Sequence, residues 1–130
     1  MAARTIEIHG GWPAPTVKIT GVSGRNARRV NGTYARCSAE MHNGCAVYRK
    51  ETDENVWLRQ TKAHERGYGR RWMVSCTNDK ELNNQRGWLK STNSTNNHWQ
   101  NPWDVTGTWM VWNGKWKVTG SVSVSRCDAI

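Results

Sequence analysis

Phenylalanine is absent from this 130-residue chain, and tyrosine and proline are limited to three each. What a core takes from Phe must come instead from nine Trp. Trp is large, and its ring N–H needs a partner when buried, so nine indoles do not all fit inside a domain of this size. Some are expected at the surface, where flat aromatic faces bind things. The plainer account of any single one is a half-buried strand residue covering the core. Acidic residues are also few, with 10 Asp+Glu against 19 Lys+Arg and a formal charge of +9. Such a balance suits nucleic acid, an anionic membrane surface or an acidic protein partner, or simply a soluble surface.

Long apolar runs are missing too. No stretch approaches the ~18 residues of a membrane span. The opening MAARTIEIHGGWPAP lacks the apolar core of a signal peptide. The expectation is a soluble intracellular protein of the cytoplasm, unless a leader has been removed.

Catalytic and cofactor motifs are lacking. There is no P-loop and no GxGxxG, and Gly21-Val22-Ser23-Gly24 is not a nucleophile elbow. Cys37, Cys45, Cys76 and Cys127 include no CxxC pair. They admit three disulfide pairings, but a reducing compartment favours free, largely buried thiols. His9, His42, His64 and His98 are scattered among expected loops. A cluster of Cys37, His42 and Cys45 with Cys76 is the one imaginable metal site, and its spacing is not one that zinc uses. The acidic residues fall mostly in turns (Asp53, Glu54, Asp79, Glu81) and point to no carboxylate pair. We therefore expect no enzyme, no catalytic residue, no metal and no cofactor.

What the chain does have is short alternating runs. The segment 16–22 places Val17 and Ile19 on one face and Lys18 and Thr20 on the other, as a strand does. Further strands are expected at 56–61, 71–76, 87–91 and 121–127. Two hairpins are signalled by Asn-Gly, whose residues tolerate positive φ. One spans 30–50 around Asn43-Gly44. The other, 108–118 around Asn113-Gly114, has the cleaner signature of a two-residue type I′ turn. In it Trp109 and Val111 share one face, and Met110 and Trp112 the other. The basic stretch 25–29 reads as a connection. The stretch 78–86 has Leu82 as its only apolar anchor and reads as a single turn or irregular loop. Residues 92–102 form a long Asn-, Ser- and Thr-rich loop carrying Trp99, with Trp103 following Pro102.

About eight short strands at a spacing near ten residues, without an amphipathic helix, make an all-β fold. It is expected to be a single-domain antiparallel sandwich or barrel over 16–127. An N-terminal arm, 1–15, holds Trp12 among Gly and Pro, with Ile6 and Ile8 in a possible edge strand. Residues 128–130 form a tail.

Binding has more support than chemistry. Arg28-Arg29, Arg49-Lys50 and Arg70-Arg71 put three basic pairs at strand ends, and together they would form an anion- or partner-binding face. Alternatively each pair is a solvated strand edge that blocks aggregation. Trp99, Trp103 and Trp112 are the aromatic candidates. Trp99 and Trp103, set among amides, also have the makings of a sugar site, by stacking and hydrogen bonding.

The ordered set Gly21-Val22-Ser23-Gly24-Arg25-Asn26-Ala27, Val30-Asn31-Gly32-Thr33-Tyr34, Val47-Tyr48-Arg49-Lys50, Val56-Trp57-Leu58, Arg71-Trp72-Met73-Val74-Ser75, Gly87-Trp88 and Trp112…Trp116 resembles a β-rich module of protist and algal proteins. That module has no assigned function. The resemblance spans about residues 17–120, and the chain departs from it in its Cys, its basic excess and its Asn-rich loop. It implies a non-catalytic module and carries no ligand or catalytic residue with it. The leading expectation is an interaction module that binds a protein partner or larger assembly through Trp and Arg. Nucleic-acid binding is the second and carbohydrate binding the third.

Overall fold

Alternation at Thr16–Thr20 builds the first strand, β1, with Val17 and Ile19 wholly buried and Lys18 and Thr20 exposed. The computed structural model describes residues 16–63, 69–97 and 99–127. The expected arm and tail, Trp12, His9, His64 and His98 lie outside the described residues. After β1 come α1 (Ala27–Val30), β2 (Gly32–His42), β3 (Cys45–Lys50), β4 (Val56–Gln60), β5 (Trp72–Cys76) and α2 (Thr77–Leu82). Then follow β6 (Leu89–Ser91), a 3-10 turn at Pro102–Asp104, β7 (Trp109–Trp112), β8 (Trp116–Thr119) and β9 (Ser123–Cys127).

The nine strands form one antiparallel sheet in the order β8-β7-β6-β5-β4-β3-β2-β1-β9. β8 and β9 therefore lie at opposite edges, yet only residues 120–122 join them. A link this short reaches at most about 14 Å, so the sheet must curl until its edges come together. The segment 116–127 acts as one bent strand that pairs first with β7 and then with β1. Gly21 sits at this corner with φ +84°, and a Cβ there would lie 1.9 Å from the Ser121 carbonyl oxygen. The all-β expectation holds in barrel-like form, with nine strands rather than about eight.

The inner face carries the core: Val17, Ile19, Tyr34, Tyr48, Leu58, Trp72, Val74, Leu89, Trp109 and Val111. The stretch 25–29 is not a plain connection, because α1 closes one end of this core with Val30 wholly buried. The Tyr34 hydroxyl donates to the Val30 carbonyl at 2.6 Å. Lys50 Nζ donates to the carbonyls of Arg28 and Arg29, both at 2.9 Å, meeting the acceptors that a helix C-terminus leaves open.

Part of the outer face is buried as well. Val47, Trp57, Arg59, Met73 and Ser75 lie under α2 and the segment after it, so every residue of β4 is buried. The expected single turn or loop at 78–86 is instead the six-residue α2. Cys76 caps it, its sulfur accepting from the Asp79 N–H, and Asn83 ends it at φ 55°. Leu82 is no anchor, being 65% exposed. Lys80 takes that place, its stem on the sheet and its ammonium 4.2 Å from the Trp57 ring and 2.6 Å from both Glu40 and Glu81.

The two hairpins exchange their expected character. Asn43 (φ 54°) and Gly44 (φ 75°) form the two-residue turn, with His42 opposite Cys45. The Asn113-Gly114 hairpin has a three-residue connection, because Trp112 pairs with Trp116. All four Cys are free thiols, and only Cys45 is buried rather than most of them.

Candidate functional site

The three basic pairs do not form one face. Tyr48 pairs with Leu58 and Gln60 with Trp72, which sets Lys50 near Val56 and Arg70-Arg71 beyond the far end of β4. Lys50 is 8% exposed and spent on α1; burial lowers its pKa, partly offset by Asp53. Arg70 donates to the Asn43 carbonyl at 2.6 Å, and its backbone pairs with Thr95. The Arg71 N–H donates to Thr61 Oγ1 at 3.0 Å. Arg28 is exposed, whereas Arg29 lies 4.8 Å from the Trp88 ring and Arg49 5.3 Å from that of Trp57.

Those last two contacts belong to a set of at least five. Lys80 also covers Trp57, Lys90 covers Trp116 at 4.3 Å, and Arg126 covers Trp103 at 5.4 Å. A chain of this length ordinarily shows about two such pairs. The unusual Trp content and the basic excess thus answer one another, and part of the positive charge is used on the chain's own indoles. Trp57, Trp72 and Trp109 are buried; Trp88, Trp103, Trp112 and Trp116 are half-buried; Trp99 is 74% exposed.

Two places remain where indoles meet solvent together. The first is the outward face of β7–β8. The three-residue connection sets Met110 opposite Val118 and Trp112 opposite Trp116, with the two indoles edge to face at 5.3 Å. Val118 is 51% exposed. Lys90 lies beside Met110 on β6. Between this row and the segment after α2 runs a cleft of about 450 Å³, lined by Asp79, Gln85, Arg86, Gly87, Trp88, Trp112 and Trp116. Asn26 donates to the Trp112 carbonyl at 2.8 Å, tying the hairpin to the segment ahead of α1. Of these residues only Trp112 was a sequence candidate. The signal for Trp116 was its four-residue separation from Trp112, which places the two on one face once the loop has three residues.

The second place is the end of the barrel away from α1. The 3-10 turn at Pro102–Asp104 packs on β9 and brings Trp99 and Trp103 into one cleft of about 350 Å³. Arg36, Tyr48 and Arg126 share this cleft with Gln100 and Asn101. Arg36 faces Tyr48 across the β2–β3 pair. The Tyr48 hydroxyl is pushed up to about 12 by burial, against the opposing pull of Arg36 and Arg126. Asn101 Nδ2 donates to Asp104 Oδ2 at 3.1 Å, bracing the turn.

His42 and Arg59 are the other unusual groups. Among the described residues His42 Nε2 is buried with no hydrogen-bond partner, and its pKa is lowered from 6.5 to about 4, first by burial and then by the charges of Arg59 and Lys80. Arg59 is wholly buried, donating from Nε to Ser75 Oγ at 2.8 Å and from Nη2 to the Asn84 carbonyl at 2.9 Å. Its Nη1 has no partner among the described residues, and burial lowers its pKa to about 10, so it stays charged at neutral pH. Among the described residues no three His, Cys, Asp or Glu side chains gather to hold a metal ion.

Comparison with known proteins finds no matching family model, curated protein or solved structure. The likeness to the β-rich module is carried by its motifs alone. Among the described residues, no helix is long and apolar enough to cross a membrane.

Proposed function

We propose that this domain is a non-catalytic binding module that docks a protein partner on the outward face of β7–β8. The observation that carries this reading is the row Met110, Val118, Trp112 and Trp116, apolar on the solvent side of an edge hairpin and open to the adjacent cleft. Contiguous apolar surface rimmed by polar groups marks interaction sites, and Trp and Arg dominate their energetics. The rim here is mainly basic: Arg29, Arg86 and Lys90 border the row and its cleft, with Asp79 the acidic residue of the lining. The partner segment that fits carries an apolar side chain for the cleft and acidic residues beside it.

Nucleic acid fits less well. Base stacking needs open indole faces beside free cations. In this protein the cations Arg29 and Lys90 already lie over Trp88 and Trp116.

Affinity capture with the wild-type domain and a Trp112→Ala/Trp116→Ala variant, each at two salt concentrations, tests the reading. The expected result is a protein partner that is lost with the variant and changes little between about 50 and 200 mM salt. Capture of nucleic acid that falls steeply over that range, or a partner indifferent to the variant, refutes it.

A further inference from the structure

The open end of the barrel is chemically unlike the β7–β8 face, and a ligand there is independent of partner docking. We propose that this end binds a small molecule bearing a carboxylate on a ring, such as an acidic sugar or an aromatic acid. The cleft of about 350 Å³ is of the size that takes a small ligand. Its wall presents two solvent-exposed arginines, Arg36 on β2 and Arg126 on β9, and among the described residues no Asp or Glu lines it. Among the described residues the Arg36 side chain has no hydrogen-bond or ion-pair partner, while Arg126 lies over Trp103. A guanidinium fork matches a carboxylate with two parallel bonds.

Tyr48 adds a hydroxyl donor to the floor of the cleft. The residue is 1% exposed and lines the cleft, and its hydroxyl is not among the buried polar atoms left without a partner, so it meets the cleft's solvent. A carboxylate between Arg36 and Tyr48 would accept from both. Tyr48 remains a neutral donor at neutral pH, as such a bond requires. Above this polar floor stand the indoles of Trp99 and Trp103; Arg126 already lies over Trp103, so it is the 74%-exposed Trp99 whose flat face suits the C–H surface of a pyranose or the face of an aromatic ring. The Gln100 amide supplies both donors and an acceptor for further groups on the ring.

The test is a titration of the domain with glucuronate and with benzoate, read by the indole N–H resonances of the Trp residues. Glucose, benzyl alcohol and inorganic phosphate serve as comparisons. At least one of the two acids is expected to saturate the Trp99 and Trp103 signals, with its neutral counterpart and phosphate binding at least tenfold more weakly. Preference for glucuronate assigns the site to acidic sugars, and preference for benzoate to aromatic acids. Arg36→Gln is expected to weaken binding about tenfold or more, and Tyr48→Phe about three- to tenfold. Tyr48→Phe should leave the melting temperature unchanged or raised, because no protein hydrogen bond is lost. Trp112→Ala should leave acid binding unchanged. Failure of both acids to saturate, phosphate binding as tightly as the ring acids, or affinity unmoved by both cleft variants overturns the proposal.

Discussion

His42 should make the fold sensitive to acid, and removing its ring should remove much of that sensitivity. In the folded chain it takes up a proton only near pH 4, against 6.5 ordinarily. Between those values the unfolded chain holds the extra proton, so stability falls as pH is lowered through this window and is unaffected above it. Each pKa unit is worth about 1.4 kcal/mol, so the full displacement corresponds to about 3 kcal/mol. Solvent screening at a half-buried ring reduces this to about 1–2 kcal/mol. The cause is local: the ring sits near the buried Arg59 and Lys80 cations, with its Nε2 unpaired. Urea unfolding at a series of pH values, for the wild type and His42→Gln, isolates the contribution as the difference between the two curves. The curves should run parallel above about pH 7, and between about pH 6.5 and 4 the wild type should lose about 1–2 kcal/mol that the variant keeps. The ring resonances of His42 report the same event directly. A His42 titration near 6.5, or identical pH dependence in the variant, would refute the reasoning.

Further outcomes follow from the α2 contact and the turns. Lys80→Met should destabilise by about 1–2 kcal/mol, through loss of the Trp57 contact and the Glu40 pair; chemical denaturation measures it. Lys80 holds the Glu81 carboxyl below its ordinary pKa, so that pair's stabilisation exists above the unfolded value and fades as pH falls; the same variant should flatten this acid-side slope. Gly44→Ala meets open space and should cost only about 1–2 kcal/mol for its positive φ, whereas Gly21→Ala strikes the Ser121 carbonyl and should cost about 3 kcal/mol or more. Thermal melts of the two variants distinguish these costs. Deleting Lys115 leaves Asn113-Gly114 as a two-residue turn with Trp112 still opposite Trp116, so stability should change by less than about 1 kcal/mol. The near-ultraviolet circular dichroism of the indole pair should persist, and its loss would mean the register had changed.

Alternation disclosed strands wherever one face meets water. Thr16–Thr20 reads correctly because Lys18 and Thr20 are solvated while Val17 and Ile19 are not. β4 has no such contrast, since α2 covers its second face, and Arg59 within it looks like a surface residue but is wholly buried. The helix itself was obscured because its buried residue is Lys80 and its one large apolar residue, Leu82, points outward. Asn-Gly marked both hairpins, but the dipeptide does not determine loop length. At 113–115 the longer loop coincides with the Trp112–Trp116 contact and the Asn26 bond to the Trp112 carbonyl. Trp99 and Trp103 are near one another in sequence, so their shared cleft was legible. Arg36 and Arg126 are not, and only the β9–β1–β2 adjacency brings them to it. The three basic pairs failed to converge because sequence spacing says nothing about which end of the sheet a strand end occupies.

The bent segment that closes the barrel also sets a timetable. β1 is among the first elements made, yet one of its edges has no partner until β9 follows; the Thr16 hydroxyl bonds to the carbonyl of Cys127, 111 residues later. At ribosomal speeds that interval is on the order of 10 s. Through it the growing chain carries β1 with an open edge and an inner face that nothing yet covers from the β9 side. Pairings this distant in sequence also form slowly once the chain is free. During those seconds the domain is most exposed to joining another copy of itself, and a chaperone would have most to do.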